Sequence, residues 1–180
     1  MAAGGERRRM TGRERMVAVI GTGKHDPSLE RLAEAIGCGL AKAGVTVVCG
    51  GLEGVMAAAC RGAKAQGGRT VGILPGCDPA EANSWVDIVI PTGIGEARNA
   101  LVVRSGEAVI AIGGGYGTLS EIALALEAGT RVIGLRTWEI SGVEVADNSN
   151  DVLERLTLGP EGRTPLGHDS GRDAQPGPAP

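Results

Sequence analysis

The sequence predicts an α/β fold, a single doubly wound parallel sheet with helices on both faces, and three observations carry that prediction. Short apolar runs without alternation, such as Ala108-Val109-Ile110-Ala111-Ile112, read as strands covered on both sides. Segments with apolar residues at helical spacing alternate with those runs along most of the chain, which implies parallel strands joined by right-handed crossovers. Most of the runs then break into glycine turns, among them Gly21-Thr22-Gly23, Gly50-Gly51 and Gly113-Gly114-Gly115. In this architecture such turns fall at the carboxyl edge of the sheet, where ligands bind.

Taken in order, residues 1–15 hold Arg7, Arg8, Arg9, Arg13 and Arg15 with almost no large apolar residue, and are expected to form a disordered basic arm. Residues 16–20 are the first strand. Ser28 is expected to cap a helix that runs to about Ala43, with Leu29, Leu32, Ala33, Ile36 and Leu40 on its apolar face. Gly44 ends that helix and residues 45–49 form the second strand. A helix over 55–66 is rich in small residues (Ala57, Ala58, Ala59, Cys60), which suits close packing against the sheet or against a partner. Gly67-Gly68 stops it, and strands follow at 70–74 and 86–90. A helix from about Glu96 to Ser105 precedes the run at 108–112, whose helix extends to Ala128, and residues 131–135 are the last strand. A short helix is expected over 151–158. Residues 159–180, rich in Gly, Pro and Asp, are expected to be a disordered tail, so the folded domain is placed at 16–158.

Composition narrows the function classes. A chain of 180 residues fits one domain with a real core. A formal net charge of −3 argues against a protein that wraps nucleic acid, where a basic face is expected. Aromatic residues are confined to Trp85, Tyr116 and Trp138, too few for the stacking platforms of unspecific single-strand binding. Cys38, Cys49, Cys60 and Cys77 show neither Cys-x-x-Cys spacing nor a histidine cluster, so no metal site is expected and a reduced, cytoplasmic setting is. No apolar run approaches the ~20 residues of a membrane helix.

The chemistry concentrates at residues 108–121. A buried strand breaks into Gly113, Gly114, Gly115, Tyr116 and Gly117 and opens directly into a helix at Thr118. Glycines leave backbone N–H groups open to close approach, and the helix aims its positive end at the same spot, which together make a cradle for phosphate. Arg98 sits near the start of its own helix, where a cation opposes the helix dipole; that placement is explained if the guanidinium serves an anion, or if it pairs with Glu96 or Glu121. Glu121 has three readings. With Thr118 it completes a capping box, it lines the ligand site, or it acts in catalysis on a ribose. Gly21, Gly23 and Lys24 of the first turn, Gly50 and Gly51 of the second, and Asn99 after Arg98 are placed at the same edge. Tyr116 has two readings: it lies over a ring of the ligand, or it is an exposed tyrosine at a loop tip. Neither Gly-x-Gly-x-x-Gly nor the P-loop pattern is met by Gly21-Thr22-Gly23-Lys24-His25.

The ordered set Gly50-Gly51-Leu52-Glu53-Gly54-Val55-Met56, then 67–75, Arg98-Asn99 and Gly114-Gly115-Tyr116-Gly117-Thr118-Leu119-Ser120-Glu121 resembles the LONELY GUY superfamily, over roughly residues 16–136. Its members were often mislabelled lysine decarboxylases, an activity not expected here. The resemblance implies a Rossmann-like fold. In the phosphoribohydrolases of that group, Pro-Gly-Gly-x-Gly-Thr-x-x-Glu binds the nucleotide phosphate and supplies a catalytic glutamate, and an arginine upstream completes the site. The matching positions are Gly114, Gly115, Gly117, Thr118 and Glu121, with Arg98. Gly113 stands where those enzymes have proline, and Asn99 where they usually have lysine. In both respects the chain looks more like the branch that includes molybdenum cofactor carrier proteins. The resemblance thus implies a homodimeric binding or carrier protein for a phosphorylated heterocycle, either a nucleotide or a molybdopterin-type cofactor. It requires no cofactor of its own, and the molybdenum cofactor is a candidate cargo. The alternative is a phosphoribohydrolase that cleaves nucleoside 5'-monophosphates, with Glu121 and Arg98 catalytic. A dimer is expected to rest partly on helix 55–66 and on the helix beginning near Glu96.

Overall fold

Seven parallel strands make one sheet in the computed structural model, which describes residues 14–157. The arm and tail expected at the two ends fall, apart from residues 14 and 15, outside the described residues. The elements run β1 (Met16–Gly21), α1 (Pro27–Lys42), β2 (Thr46–Cys49), α2 (Val55–Ala65), β3 (Thr70–Leu74), β4 (Ile88–Pro91), α3 (Asn99–Ser105), β5 (Ala108–Ile112), α4 (Tyr116–Glu127), β6 (Arg131–Leu135), β7 (Val143–Val145) and α5 (Ser149–Thr157). Strand order is β4-β3-β2-β1-β5-β6-β7. The chain walks outward from β1 to one edge, returns to lay β5 against β1 in register Ala18↔Val109 to Gly21↔Ile112, and walks outward the other way. The order therefore reverses between β1 and β5, and the loops leaving those two strands open a crevice at their carboxyl ends.

Strand alternation divides the core into two layers. Val17, Val19, Ile110 and Ile112 face α1 and α2, while Ala18, Ile20, Val109 and Ala111 face α3 and α4. Both layers are closed to solvent, so each large side chain contributes about 1.5–3 kcal/mol on burial. The small residues of α2 are used inside the chain. A side chain at Gly37 of α1 would strike the Ala59 carbonyl, and one at Gly62 of α2 would strike the Glu34 carbonyl, so the two helix backbones lie almost against each other. Val55 to Cys60, Gly62 and Ala63 are all buried within the chain, and the small residues of this helix serve its close packing against α1.

Local chemistry moves several boundaries. Pro27 occupies the first turn of α1, so the cap falls on Asp26 and not on Ser28; its Oδ1 accepts from the amides of Ser28 (2.9 Å) and Leu29 (3.1 Å). The Val45 amide closes the end of α1 by donating to the Leu40 carbonyl (2.9 Å), which delays β2 to Thr46. The fourth strand starts at Ile88 because Asp87 is occupied with Thr70, its Oδ2 accepting from that amide at 3.0 Å. The helix expected from Glu96 divides into a 3₁₀ turn over Gly95–Arg98 and α3. The edge strand β7, only three residues long, was not foreseen. All four cysteines are free: Cys49 and Cys60 are buried with their sulfurs 3.5 Å apart, Cys38 is half-buried and Cys77 is exposed.

Candidate functional site

The crevice between β1 and β5 is built around Arg98. The 3₁₀ turn delivers this residue to the head of α3 and folds its side chain inward, leaving it 5% exposed. Its guanidinium lies flat against Gly50, just past β2, where any side chain would collide with it. Glycine at position 50 is thus what lets a charged group reach this depth. The nearest carboxylate is Glu121 of α4, with Nη1 and Oε1 3.9 Å apart, and the buried Nε of Arg98 has no hydrogen-bond partner. Burial pushes the Glu121 carboxyl up to about 7; the neighbouring Arg98 pulls the other way, and Glu96 adds to the rise. The site therefore holds a permanent positive charge, loosely matched by a carboxyl that titrates near neutrality.

The glycine loop forms the facing wall. Gly113 has φ +55°, which proline cannot adopt, and Gly114 has φ +114°. A side chain at Gly114 would fall on Thr118, which is buried beneath the loop. Positions 115 and 117 open to empty space, and Tyr116 between them is 84% exposed. Helix α4 starts at Tyr116 with Gly115 as its cap and no side chain bonded to its first amides. The capping-box reading of Thr118 and Glu121 is corrected by that start: the helix begins before Thr118, so Thr118 already lies inside its first turn. Its first-turn amides remain as donors for a ligand.

Two side chains from the loop after β6 hold the glycine loop from behind. Thr137 Oγ1 donates to the Gly113 carbonyl at 2.6 Å, and Trp138 Nε1 donates to the Gly115 carbonyl at 3.3 Å. Trp138 also stacks on Tyr116, with ring centroids 6.1 Å apart and planes inclined by 27°. Neither Thr137 nor Trp138 was singled out from sequence. They lie 24 and 23 positions along the chain from the glycines they bond, and the pairing of β5 with β6 brings the two loops together.

The other predicted positions divide between site and scaffold. Asn99 is buried, and its Nδ2 donates to Glu96 Oε2 and Ser120 Oγ, each at 3.4 Å, tying α3 to α4 beside Arg98. Gly23 and Lys24 are exposed on the loop after β1, at the mouth of the crevice. Gly21 is a packing position: a side chain there would meet the Ile112 carbonyl and Val55. Gly51 is likewise structural, at φ +76° against Leu74, with its carbonyl accepting from Asn83 Nδ2 at 3.1 Å. Among the described residues no group of three or more His, Cys, Asp or Glu converges to hold a metal ion, and no helix is long and apolar enough to cross a membrane. A cavity of about 90 Å³, lined by Val17, Leu40, Val45, Leu153 and Leu156, lies under α1 and α5 at the opposite end of β1.

Comparison with known proteins places this geometry in a family. The family model for the SLOG cluster4 family matches residues 14–158, and the chain belongs to that family. An uncharacterized protein of Archaeoglobus fulgidus is 46% identical over 138 residues, covering 76% of this chain and 91% of that one. Among solved structures, the molybdenum cofactor binding protein of the phototrophic bacterium Rippkaea orientalis superposes with a TM-score of 0.78 at 35% identity, over 82% of this chain and 98% of that one. The molybdenum cofactor carrier protein of Chlamydomonas reinhardtii gives a TM-score of 0.75 at 34% identity, over 81% and 98%. The Rossmann-like fold and the branch that the glycine-loop motif resembled are therefore those of the chain's structural neighbours.

Proposed function

We propose that this member of the SLOG cluster4 family is a binding and carrier protein for a phosphorylated heterocycle, with the molybdenum cofactor as its cargo. The observation that carries the reading is Arg98, a guanidinium 5% exposed whose Nε has no acceptor and whose nearest carboxylate stands 3.9 Å away. A buried cation left in that state is costly, and an anion that accepts from the guanidinium fork offsets the cost. Phosphate oxygens match the fork in shape and charge. The uncapped amides of α4 supply further donors from the facing wall. In this reading Arg98 takes the phosphoryl group, Gly50 lets it approach, Gly113 to Gly117 with Thr118 shape the cradle, and Lys24 draws anions toward the mouth. Glu121 sets the charge of the site, since its protonation leaves Arg98 free for the ligand. Support for the cargo comes from the likeness to two proteins that bind or carry the molybdenum cofactor. The left-handed backbone at Gly113 supports the same branch, because it excludes the proline of the phosphoribohydrolase motif.

A second reading is favoured by one observation: a carboxyl titrating at about 7 beside a buried arginine is also what general acid–base chemistry requires. It makes the protein a phosphoribohydrolase in which Glu121 stabilises the developing ribosyl cation and Arg98 holds the phosphate. Incubation with nucleoside 5'-monophosphates, followed by assay for free base, separates the two. The carrier releases none, and its Glu121→Gln variant binds as well or better because a negative charge near the phosphate has gone. Base release by the wild type, lost by ~10²-fold or more in Glu121→Gln, would overturn the carrier reading. We further take the protein to be a homodimer, with exposed Ile94 just before α3 and exposed Leu101 on it as part of the contact; a monomer mass by light scattering at micromolar concentration would contradict this.

A further inference from the structure

Aromatic side chains are scarce here, with two Trp, one Tyr and no Phe in 180 residues, yet Tyr116 of the glycine loop and Trp138 of the loop after β6 stack on each other. Tyr116 is 84% exposed and Trp138 37% exposed, an arrangement that leaves apolar area in water where a buried site would have stabilised the fold. Trp138 is nonetheless fixed. Its Nε1 is bonded to the Gly115 carbonyl, Thr137 beside it is bonded to the Gly113 carbonyl, and Arg136 takes the left-handed conformation at φ +52° to turn the chain onto the loop. A non-glycine residue held in that region carries strain, which the surrounding contacts must sustain. The loop after β6 thus uses strain and two hydrogen bonds to back an exposed ring of the glycine loop with a second ring.

We infer that Tyr116, backed by Trp138, is a stacking platform that selects phosphate esters of flat aromatic heterocycles over simple sugar phosphates. The inference rests on the anion site of the preceding section and names the part of the ligand that site does not read. The two rings are 6.1 Å apart, and a third ring between them would need two stacking distances of roughly 3.5 Å each, so the ligand does not insert. It lies on the outer, solvent-facing side of Tyr116 and extends the stack. Trp138 is a positioning residue: it supports Tyr116 by stacking and fixes the carbonyl of the loop's cap residue, while Tyr116 touches the ligand. Stacking reads a flat ring of any base and contributes about 5- to 150-fold in affinity per ring.

The test measures binding of guanosine 5'-monophosphate and ribose 5-phosphate, which share a phosphate and a ribose and differ in the ring. Wild-type protein is expected to bind the guanosine ester at least tenfold tighter. Tyr116→Ala removes that preference and leaves ribose 5-phosphate affinity unchanged, and Tyr116→Phe restores it. In a Trp85→Phe background Trp138 is the sole tryptophan; its emission, excited selectively over that of Tyr116, changes with the guanosine ester in parallel with binding and stays constant with ribose 5-phosphate. Equal wild-type affinities, or a preference that survives Tyr116→Ala, overturn the platform while leaving the anion site standing. Failure of both compounds to bind removes the anion site and the platform with it.

Discussion

Arg131 and Arg98 each hold a guanidinium beside a glutamate, and they do so in opposite ways. Arg131, on β6, grips Glu144 of β7 with two bonds, Nε to Oε1 at 2.8 Å and Nη2 to Oε2 at 2.9 Å, and its Nη1 donates to the Arg155 carbonyl of α5 at 2.8 Å. Every nitrogen has a partner, the side chain is a quarter exposed, and the contact ties the last three elements together. Arg98 is far more buried, yet its glutamate stands off at 3.9 Å and its Nε is orphaned. A structural ion pair is expected to tighten as it goes deeper, because desolvation has to be matched by geometry. Here the deeper pair is the looser one. The difference separates a pair that holds the fold from a charge held ready for something else.

The largest effect expected from breaking that contrast is at Arg98. Arg98→Met should weaken binding of guanosine 5'-monophosphate by ~10²-fold or more, as removal of a desolvated charge partner does. It should leave the melting temperature unchanged or raised, because an unmatched buried charge has gone. A variant that lost stability and kept binding would make Arg98 another Arg131.

Glu121 comes next, and its effect depends on pH. Its folded-state pKa, about 7, lies above the ordinary carboxylate value of 4.5. The folded protein therefore holds a proton that the unfolded chain releases. That contribution to stability is complete below about pH 4.5 and is lost as the pH rises toward 7. Glu121→Gln abolishes the loss, so it should gain on the wild type across that window by up to roughly 3 kcal/mol, read from denaturant midpoints at pH 5 and pH 8. A difference that is constant with pH would show that Glu121 stays ionised and pairs fully with Arg98.

Gly50→Ala tests the approach of the guanidinium without touching its charge. The added methyl meets Arg98, and overpacking of ~1–3 kcal/mol should displace the side chain and weaken ligand binding roughly tenfold. Titration calorimetry alongside a melting curve shows whether the cost falls on binding. The smallest effect is at the other arginine: Arg131→Met should cost ~1–2 kcal/mol of stability, between the values for exposed and buried pairs, with ligand affinity unchanged.

Much of this was legible in the sequence, for reasons that are local. The run 108–112 followed by glycines gave the central strand and its loop, because continuous apolar character and glycine are properties of adjacent residues. Arg98 stands out because a cation at a helix start is locally unfavourable, and the same local argument names Glu121 as one of its partners. What local pattern misassigned was the start of α4. Thr118 and Glu121 have capping-box spacing, but the helix begins at Tyr116, where a flexible Gly115 can serve as cap and no side chain signals it. Trp138 and Thr137 were invisible for a different reason: their role comes from the register of β5 with β6, a long-range property. The small-residue helix over 55–66 was legible as a close-packing surface, yet whether it would meet its own α1 or a second copy depended on tertiary arrangement alone.

That Arg98 is held with its Nε unbonded and its glutamate at a distance in order to receive a phosphate is tested most directly at that Nε. In protein labelled with ¹⁵N, the arginine Nε–Hε resonance of Arg98, assigned by its disappearance in Arg98→Lys, can be followed while guanosine 5'-monophosphate is added. The account predicts that this resonance shifts and saturates with the binding isotherm, and that the Arg131 resonance stays in place. An Arg98 resonance that remains fixed at saturating ligand, while signals elsewhere move, would contradict it.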